Sequence, residues 1–483
     1  MITDLSSLKP EKLWKHFSAI LTIPHGSGNE KALASHILNL AKKWNLETLQ
    51  DKVGNVVVRK PASPGKEKAP GVVLQAHLDM VCEKNSDVQH DFLKDPIQAY
   101  IEGDWVKARG TTLGADNGIG VAACLAVLED KSLLHGPLEC LFTVDEETGL
   151  TGAFKLKKDI LKGKLLLNLD SEDEGTFTIG CAGGADSEIN LLLERKRKKA
   201  KNCLLIKITG LRGGHSGLDI NLGRGNALKS LARLLFRASA ETRFEIISFN
   251  GGSKRNAIPR EAWAVVAVEK DEERSLKNQL RKEFQALKFE YRVTEPDLTL
   301  DLRPIAESEF PLTVESQTRL INLILSLPHG VISMHPEIAG LVETSTNLAI
   351  VNTEGKQARI ICSSRSSVMS ALEAVRLVIR AVCQLAGVRV VQPEGYPAWT
   401  PNLKSELLQK MIEIYKNLFQ KEPEVKAVHA GLECGIIGEK YPGMDMISFG
   451  PTIRNPHSPD ERVQIGSVER FWNFLLETLI RLS

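Results

Sequence analysis

Hydrophobic and polar positions follow two different periods along the chain, and the places where the period changes outline its elements. Four short apolar runs, "NVVVRK", "GVVLQAHLD", "LECLFTVDEE" and "KLLLNLDSE", have the length and β-branched content of sheet strands. "EKALASHILNLAKKW" repeats its apolar residues at helical spacing. "NGIGVAACLAVLED" is apolar on nearly every side, the pattern of a helix buried on most of its faces. Strands alternating with helices predict an α/β sandwich over residues 1–186. The opening "MITDLSSLKPEKLWKHF" has no apolar core or small-residue cleavage site and reads as an amphipathic first helix.

The texture changes near Ser187. "SEINLLLE" and "NCLLIKITGL" alternate as antiparallel strands do, joined by "RKRKKAK" (Arg195 to Lys201), a solvated turn. "NALKSLARLLFRA" is an amphipathic helix with Leu228, Leu231, Leu234 and Leu235 on one face, followed by strands "RFEIISFNGG" and "EAWAVVAVE". From about Glu315 the order helix, strands, helix, strand recurs, and Asn256 in "RNAIP" stands where Asn347 stands in "STNLAI". Residues 187–394 are therefore expected to form an inserted α+β domain of two diverged halves. From 395 to 483 the α/β texture returns, with "SELLQKMIEIYKNLF" a helix, "DMISFGP" a strand, and a closing helix capped by Ser467. One α/β domain, 1–186 with 395–483, is interrupted by a long insertion.

Composition narrows the class without naming it. Lys plus Arg is 62 against 60 for Asp plus Glu, a net charge of +2 over 483 residues, which points to neither a nucleic-acid nor a membrane partner. No apolar run is long enough to span a bilayer, so the cytoplasm is the default location. The eight cysteines form no C-x-x-C pair and mostly lie in apolar segments, so buried free thiols are expected.

Chemistry enters where the strands end. In "VLQAHLDMVCEK" a strand ends on His77 and Asp79, which share a face because the side-chain period is two. "GTTLGADNGIG" places Asp116 just before a helix, "LFTVDEETG" ends a strand on Asp145, Glu146 and Glu147, "LLLNLDSEDEG" ends one on Asp170, and "GPTIRNPHSPDE" sets His457 in a loop. Singly, each has an ordinary reading: helix cap, solvated turn acids, loop histidine. Together, two imidazoles and three carboxylates suit a pair of zinc ions, or manganese or cobalt, with one carboxylate between them. Two metals about 3.5–4 Å apart can share a hydroxide and polarise a carbonyl. A further carboxylate must then move the proton from water to the leaving amine, and the Glu146–Glu147 pair supplies one base and one ligand.

Nearly end to end, the chain resembles the cocatalytic zinc peptidases of the aminoacylase and carboxypeptidase-G2 type. Within them it is most similar to the aminoacyl-histidine (Xaa-His) dipeptidases. "QAHLDMVCEKN", "TTLGADNGIGVA", "DEETGLTGA", "LLNLDSEDEG", "GGHSG", "ETSTNLA", "HAGLECG" and "GPTIRNPHSPDE" stand in that branch's order. The resemblance implies that His77 and Asp170 hold one metal, that Glu147 and His457 hold the other, and that Asp116 bridges. It implies that Asp79 orients His77, that Glu146 is general base and then acid, and that His215 reaches the scissile carbonyl oxygen from a lid formed by the insertion. Asn256 and Arg365 would contact a small peptide, Arg365 at its carboxylate, and the Asp116–Asn117 peptide would be cis. The expected protein is a dipeptidase favouring Xaa-His, a monomer or homodimer whose active site is complete within one chain. The alternatives are an N-acyl amino-acid deacylase or tripeptidase on the same scaffold, or a non-catalytic metal-binding relative.

Overall fold

The computed structural model describes residues 5, 7–197, 202–306 and 309–483. The chain divides into two compact units, one of residues 1–181, 399–427 and 432–483, the other of residues 182–398 and 428–431.

The first unit is built on an eight-stranded mixed sheet. Its order is Glu47–Gln50, Val56–Lys60, Leu138–Thr143, Val72–His77, Leu165–Asn168, Asp445–Ser448, Thr176–Cys181, Glu424–Val428. The middle strands are the near-continuous apolar runs of the sequence, and Val72–His77 and Leu138–Thr143 are buried along their whole length. Such runs fit parallel strands covered on both faces. Val72–His77 pairs parallel with Leu138–Thr143 and Leu165–Asn168, and Asp445–Ser448 pairs parallel with Leu165–Asn168. Four strands therefore end on the same edge, and their registers bring His77 beside Thr143, Gln75 beside Asn168, and Asn168 beside Ser448. Helix Ala115–Glu129 buries Ala115 and almost every residue from Asn117 to Leu128, as its all-round apolar sequence predicts. A Cβ on its Gly118 would lie 3.0 Å from the Phe17 ring of the first helix, Glu11–Ile20, so the glycine permits that close crossing. The closing helix is Ile465–Arg481 and its cap position is Gln464. Ser467 is not the cap: its Oγ accepts from the Thr452 N–H at 2.5 Å, within the first turn.

The second unit is a nine-stranded antiparallel sheet whose internal symmetry is more specific than the sequence suggested. One half runs Thr299–Ile305, Cys203–Thr209, Ala262–Ala267, Glu245–Gly251, and the other continues Val342–Glu354, Gln357–Ser366, Gly183–Leu192, Arg389–Val391. Each half is strand, helix, strand, strand, helix, strand, in spatial order 4-1-3-2, and the second half also carries the ninth strand, Gly330–Met334, which pairs with Val342–Glu354 off this path. The helices are Ala227–Ala238 and Glu273–Glu290 in one, Val314–Ser326 and Met369–Leu385 in the other. The halves are nested, because the first is inserted between the opening strand and first helix of the second. They join edge to edge at Gly251 and Val351. Next to that seam Gly252 has φ +72°, and a Cβ there would lie 1.9 Å from the Ala349 carbonyl oxygen, so only glycine fits.

Asn256 and Asn347 are neighbours, not counterparts. The Asn347 amide donates to the carbonyls of Arg255 and Ala257, at 3.4 and 2.8 Å. Of the basic run, Lys198, Lys199, Ala200 and Lys201 lie outside the described residues. Its start is tied down, with Arg195 bonded to the Ile247 carbonyl at 3.0 Å and to Glu309 at 3.0 Å. All eight cysteines are free; seven are buried as expected, but Cys82 is exposed.

Candidate active site

The four parallel strand ends gather the predicted metal residues. His77 closes its strand, Glu146 and Glu147 open the one-turn helix Glu146–Gly149 after strand Leu138–Thr143, and Asp170 follows strand Leu165–Asn168. His457 sits in the loop between strands Ile453–Arg454 and Arg462–Gln464. It has φ +59°, a left-handed backbone that aims its ring back toward the strand ends. Asp116 lies at the start of helix Ala115–Glu129 with non-helical φ −82° and ψ 106°, and the peptide to Asn117 is cis, as the family resemblance implies.

Asp116 stands between the two histidines. Its Oδ1 lies 3.1 Å from His77 Nε2 and its Oδ2 lies 3.2 Å from His457 Nε2. His77 Nε2 is also 3.2 Å from Asp170 Oδ1, and His457 Nε2 is 3.0 Å from Glu147 Oε1. Two three-residue donor sets result, His77–Asp116–Asp170 and Asp116–Glu147–His457, sharing one carboxylate. Glu146 also comes within reach of His77 and Glu147, but its carboxylate makes no hydrogen bond or ion pair among the described residues, while Glu147 faces His457.

The charge of this cluster is one-sided. Among the described residues no Lys or Arg pairs with Asp116, Glu146, Glu147 or Asp170; the imidazoles are their only counter-charges. Hydrogen bonds to Asp116 and Glu147 push His457 up to about 11. Burial opposes the same rise at His77, but the charge of Asp170 and hydrogen bonds to Asp116, Asp170 and Asp79 hold it well above the usual histidine value. Burial pushes Asp170 up to about 6. Protons on the imidazoles here do the work of cations. Nitrogen and carboxylate donors converging in this way fit divalent zinc, manganese or cobalt in their place.

Asp79 has a broader job than the sequence predicted. Its backbone carbonyl, at 3.0 Å, is what His77 Nδ1 bonds, and its carboxylate lies 3.5 Å from that nitrogen. The carboxylate instead accepts the N–H groups of Glu146 at 3.0 Å and Glu147 at 3.2 Å, and the Ser27 hydroxyl at 2.8 Å. Burial opposes ionisation, but His77, these N–H groups and Ser27 hold Asp79 down to about 2. It caps the short helix that carries both Glu146 and Glu147.

Several supporting residues lie inside the sequence motifs without being marked by them. The Asn117 amide donates to Asp170 Oδ1 at 2.5 Å and to the Leu169 carbonyl at 2.8 Å. A Cβ on Gly120 would lie 2.2 Å from that asparagine's oxygen. Glu30 accepts the Asp145 N–H at 3.1 Å. Buried Glu433 accepts Gln75 at 2.6 Å and Thr143 at 2.7 Å. Glu461 accepts four successive backbone N–H groups of the Asp116 turn. Glu172 is half-buried, with Asp116, Asp170 and His457 in electrostatic range, and its carboxylate has no partner among the described residues. Their common signal is proximity to a predicted ligand, which spacing alone does not turn into a role.

Within the second unit, His215, Arg365 and His429 form their own cluster. His215 Nδ1 accepts the N–H groups of Gly217 at 3.2 Å and Leu218 at 3.0 Å, which leaves the proton on Nε2 as an outward donor. Burial and then the charge of Arg365 lower its pKa, so the ring is neutral. Arg365 is 8% exposed, bonds the Tyr396 hydroxyl at 2.7 Å, pairs with no carboxylate among the described residues, and leaves its buried Nε without a partner. His429 bonds Ser345 at 2.7 Å, and burial, then Arg365 and His215, hold it down to about 4. Asn256 is exposed, and its carbonyl accepts the Ser216 N–H at 2.8 Å. His429 was not singled out from "HAGLECG".

A strand-edge cluster of His and carboxylates, with a glutamate beside it unpaired among the described residues, is the arrangement a metallopeptidase needs. The chain matches peptidase family M20/M25/M40 over residues 73–481 and belongs to that family. It is 45% identical over 479 residues, 99% of each chain, to the cytosol non-specific dipeptidase of Escherichia coli (strain K12). It superposes on the aminoacylhistidine dipeptidase of Vibrio alginolyticus with a TM-score of 0.91 at 43% identity, covering 99% of this chain and 98% of that one. A tripeptidase of Staphylococcus aureus shares the fold at 16% identity, with a TM-score of 0.56 and coverage of 98% of this chain and 99% of that one.

Proposed function

We propose that the protein is a two-metal dipeptidase that cleaves the peptide bond of free dipeptides, Xaa-His among them. The observation that supports this most is the Asp116 carboxylate, each oxygen of which faces a different imidazole, with Glu146 unpaired alongside. His77 and Asp170 would hold one divalent ion, Glu147 and His457 the other, and Asp116 both; zinc suits the donors best, with cobalt and manganese as substitutes. When bound, such ions lower the pKa of water and polarise a carbonyl.

The chain's own groups supply the remainder. Glu146 takes a proton from the attacking water and returns it to the leaving amine. Without the ions, burial, then the charges of Asp170, Glu433 and Glu147, hold its carboxyl well above the ordinary range against the opposing His77; two cations beside it would favour the carboxylate, the form that accepts the proton. The Nε2–H of His215 is suited to donate to the carbonyl oxygen as charge develops there. Arg365, buried without a carboxylate of its own, takes the substrate's carboxylate. Asn256 contributes a further hydrogen bond, and Glu172, without a cation of its own, takes the substrate's ammonium group. We take His215 to serve the metal centre of its own chain, in a monomer or homodimer. That the Escherichia coli relative is a cytosol dipeptidase supports a cytoplasmic location.

A panel of dipeptides, tripeptides and N-acetyl amino acids, assayed after chelation and again with zinc, manganese or cobalt, tests the proposal. Hydrolysis confined to dipeptides and restored by metal is expected. Faster cleavage of N-acetyl amino acids or tripeptides would replace the reading with a deacylase or tripeptidase, and metal-independent hydrolysis would remove it.

A further inference from the structure

The loop that presents His457 ends on a carboxylate that pairs with no cation among the described residues. Glu461 is 2% exposed. One of its oxygens accepts the N–H groups of Leu113 at 2.7 Å and Gly114 at 3.0 Å, the other those of Ala115 at 2.8 Å and Asp116 at 3.2 Å. Gly114 makes this possible: it has φ +72°, and a Cβ there would sit 2.9 Å from the Met80 sulfur. The turn thereby points four consecutive N–H groups at one spot, where the start of helix Ala115–Glu129 would otherwise leave them unsatisfied. Four charge-assisted hydrogen bonds make the buried anion tolerable and fix the turn.

The placement of this carboxylate along the chain gives it a second consequence. Four residues before it stands His457, and between them Glu461 N–H bonds the Ser458 carbonyl at 3.0 Å, closing a tight loop. The other end of the loop is clamped by the pairing of Arg454 with Arg462 and of Val463 with Val106. Asn455 and His457 both hold left-handed backbones inside it, with φ +54° and +59°. His457 therefore depends on a short loop whose anchor is the very turn that carries Asp116. His77 and Asp170 have a different support, the parallel strands of the sheet. Two of the three donors of the Asp116–Glu147–His457 set meet through Glu461, against one of three in the His77–Asp116–Asp170 set.

We infer that Glu461 is a positioning residue that ties the His457 loop to the Asp116 turn and so assembles the Asp116–Glu147–His457 metal position in preference to its neighbour. The inference rests on the metal reading of the site and is independent of the substrate. Glu461→Gln keeps the size but turns one acceptor into a donor facing two N–H groups.

The test is a zinc titration of the chelated full-length protein by calorimetry, with melting of the metal-free form as a control. One of the two affinities is expected to fall about 10–100-fold, the usual cost of removing a group that orients metal ligands. The other falls less, and excess zinc restores dipeptidase turnover. Glu461→Asp, with both acceptors one methylene short, should lie between wild type and Gln, and it reads the effect if the Gln protein does not fold. Combined with His457→Ala, the Gln change should add nothing to the loss of that ion. Wild-type affinity at both positions, equal losses at both, or full additivity with His457→Ala would each overturn the assignment.

Discussion

Replacing Glu146 by glutamine separates proton transfer from metal binding. The side chain keeps its shape, and the ligand beside it, Glu147, keeps its 3.0 Å approach to His457. A positioned general base contributes about 10²–10⁴ in rate. At 1.36 kcal/mol per decade this is about 2.7–5.4 kcal/mol of barrier. Turnover of a dipeptide at saturating zinc should fall by that factor, with two ions still bound by calorimetry. The same change should stabilise the metal-free protein near neutral pH. The folded carboxyl is held well above its unfolded value, so its favourable contribution is complete below the unfolded pKa and is lost as pH rises through the folded one. Glutamine does not ionise and removes that loss. Kinetics and melting of the chelated protein at pH 5 and pH 8 read both effects. Turnover near wild type, or the loss of one ion, would refute the role given to Glu146.

Asp116→Ala should remove metal from both positions and abolish activity, because each imidazole faces a different oxygen of that one carboxylate; metal content after dialysis checks it. Amidating a dipeptide's C-terminus should cut kcat/KM about 10-fold or more through loss of a charged hydrogen bond to Arg365; Arg365→Ala should flatten the difference between acid and amide. Co-expressed His215→Ala and Glu146→Gln chains should recover no activity if each active site uses its own His215, whereas clear recovery would place that histidine across a dimer. The chelated protein should lose stability as pH rises from the unfolded histidine value toward the His457 value of about 11, since a raised imidazole stabilises only while protonated; zinc should remove that slope, as scanning calorimetry can show.

The candidate metal site was legible because its residues sit where periodicity stops. His77, Glu147 and Asp170 each follow an apolar run that can only be a buried strand, and parallel strands deliver their ends to one edge. Asp116 and His457 needed the family motifs as well, since a helix cap and a loop histidine have the same local pattern. The backbone acceptors were not legible. Asp79 reads as a partner for His77, yet its carboxylate is taken mainly by the N–H groups of Glu146 and Glu147, 67 and 68 residues away. Glu461 meets the Leu113–Asp116 turn from about 345 residues downstream, and no local period encodes such a meeting. The nesting of the two halves was hidden for a related reason. The strand Gly183–Leu192 pairs with Gln357–Ser366, and the first half intervenes between them in sequence.

Anomalous diffraction at the zinc edge from crystals of the zinc-loaded protein tests the central claim most directly. Two peaks are predicted, one between His77 and Asp170 and one between Glu147 and His457, with the Asp116 carboxylate reaching both and Glu146 bound to neither. A single peak, or two peaks with Glu146 in place of Glu147, would contradict the account.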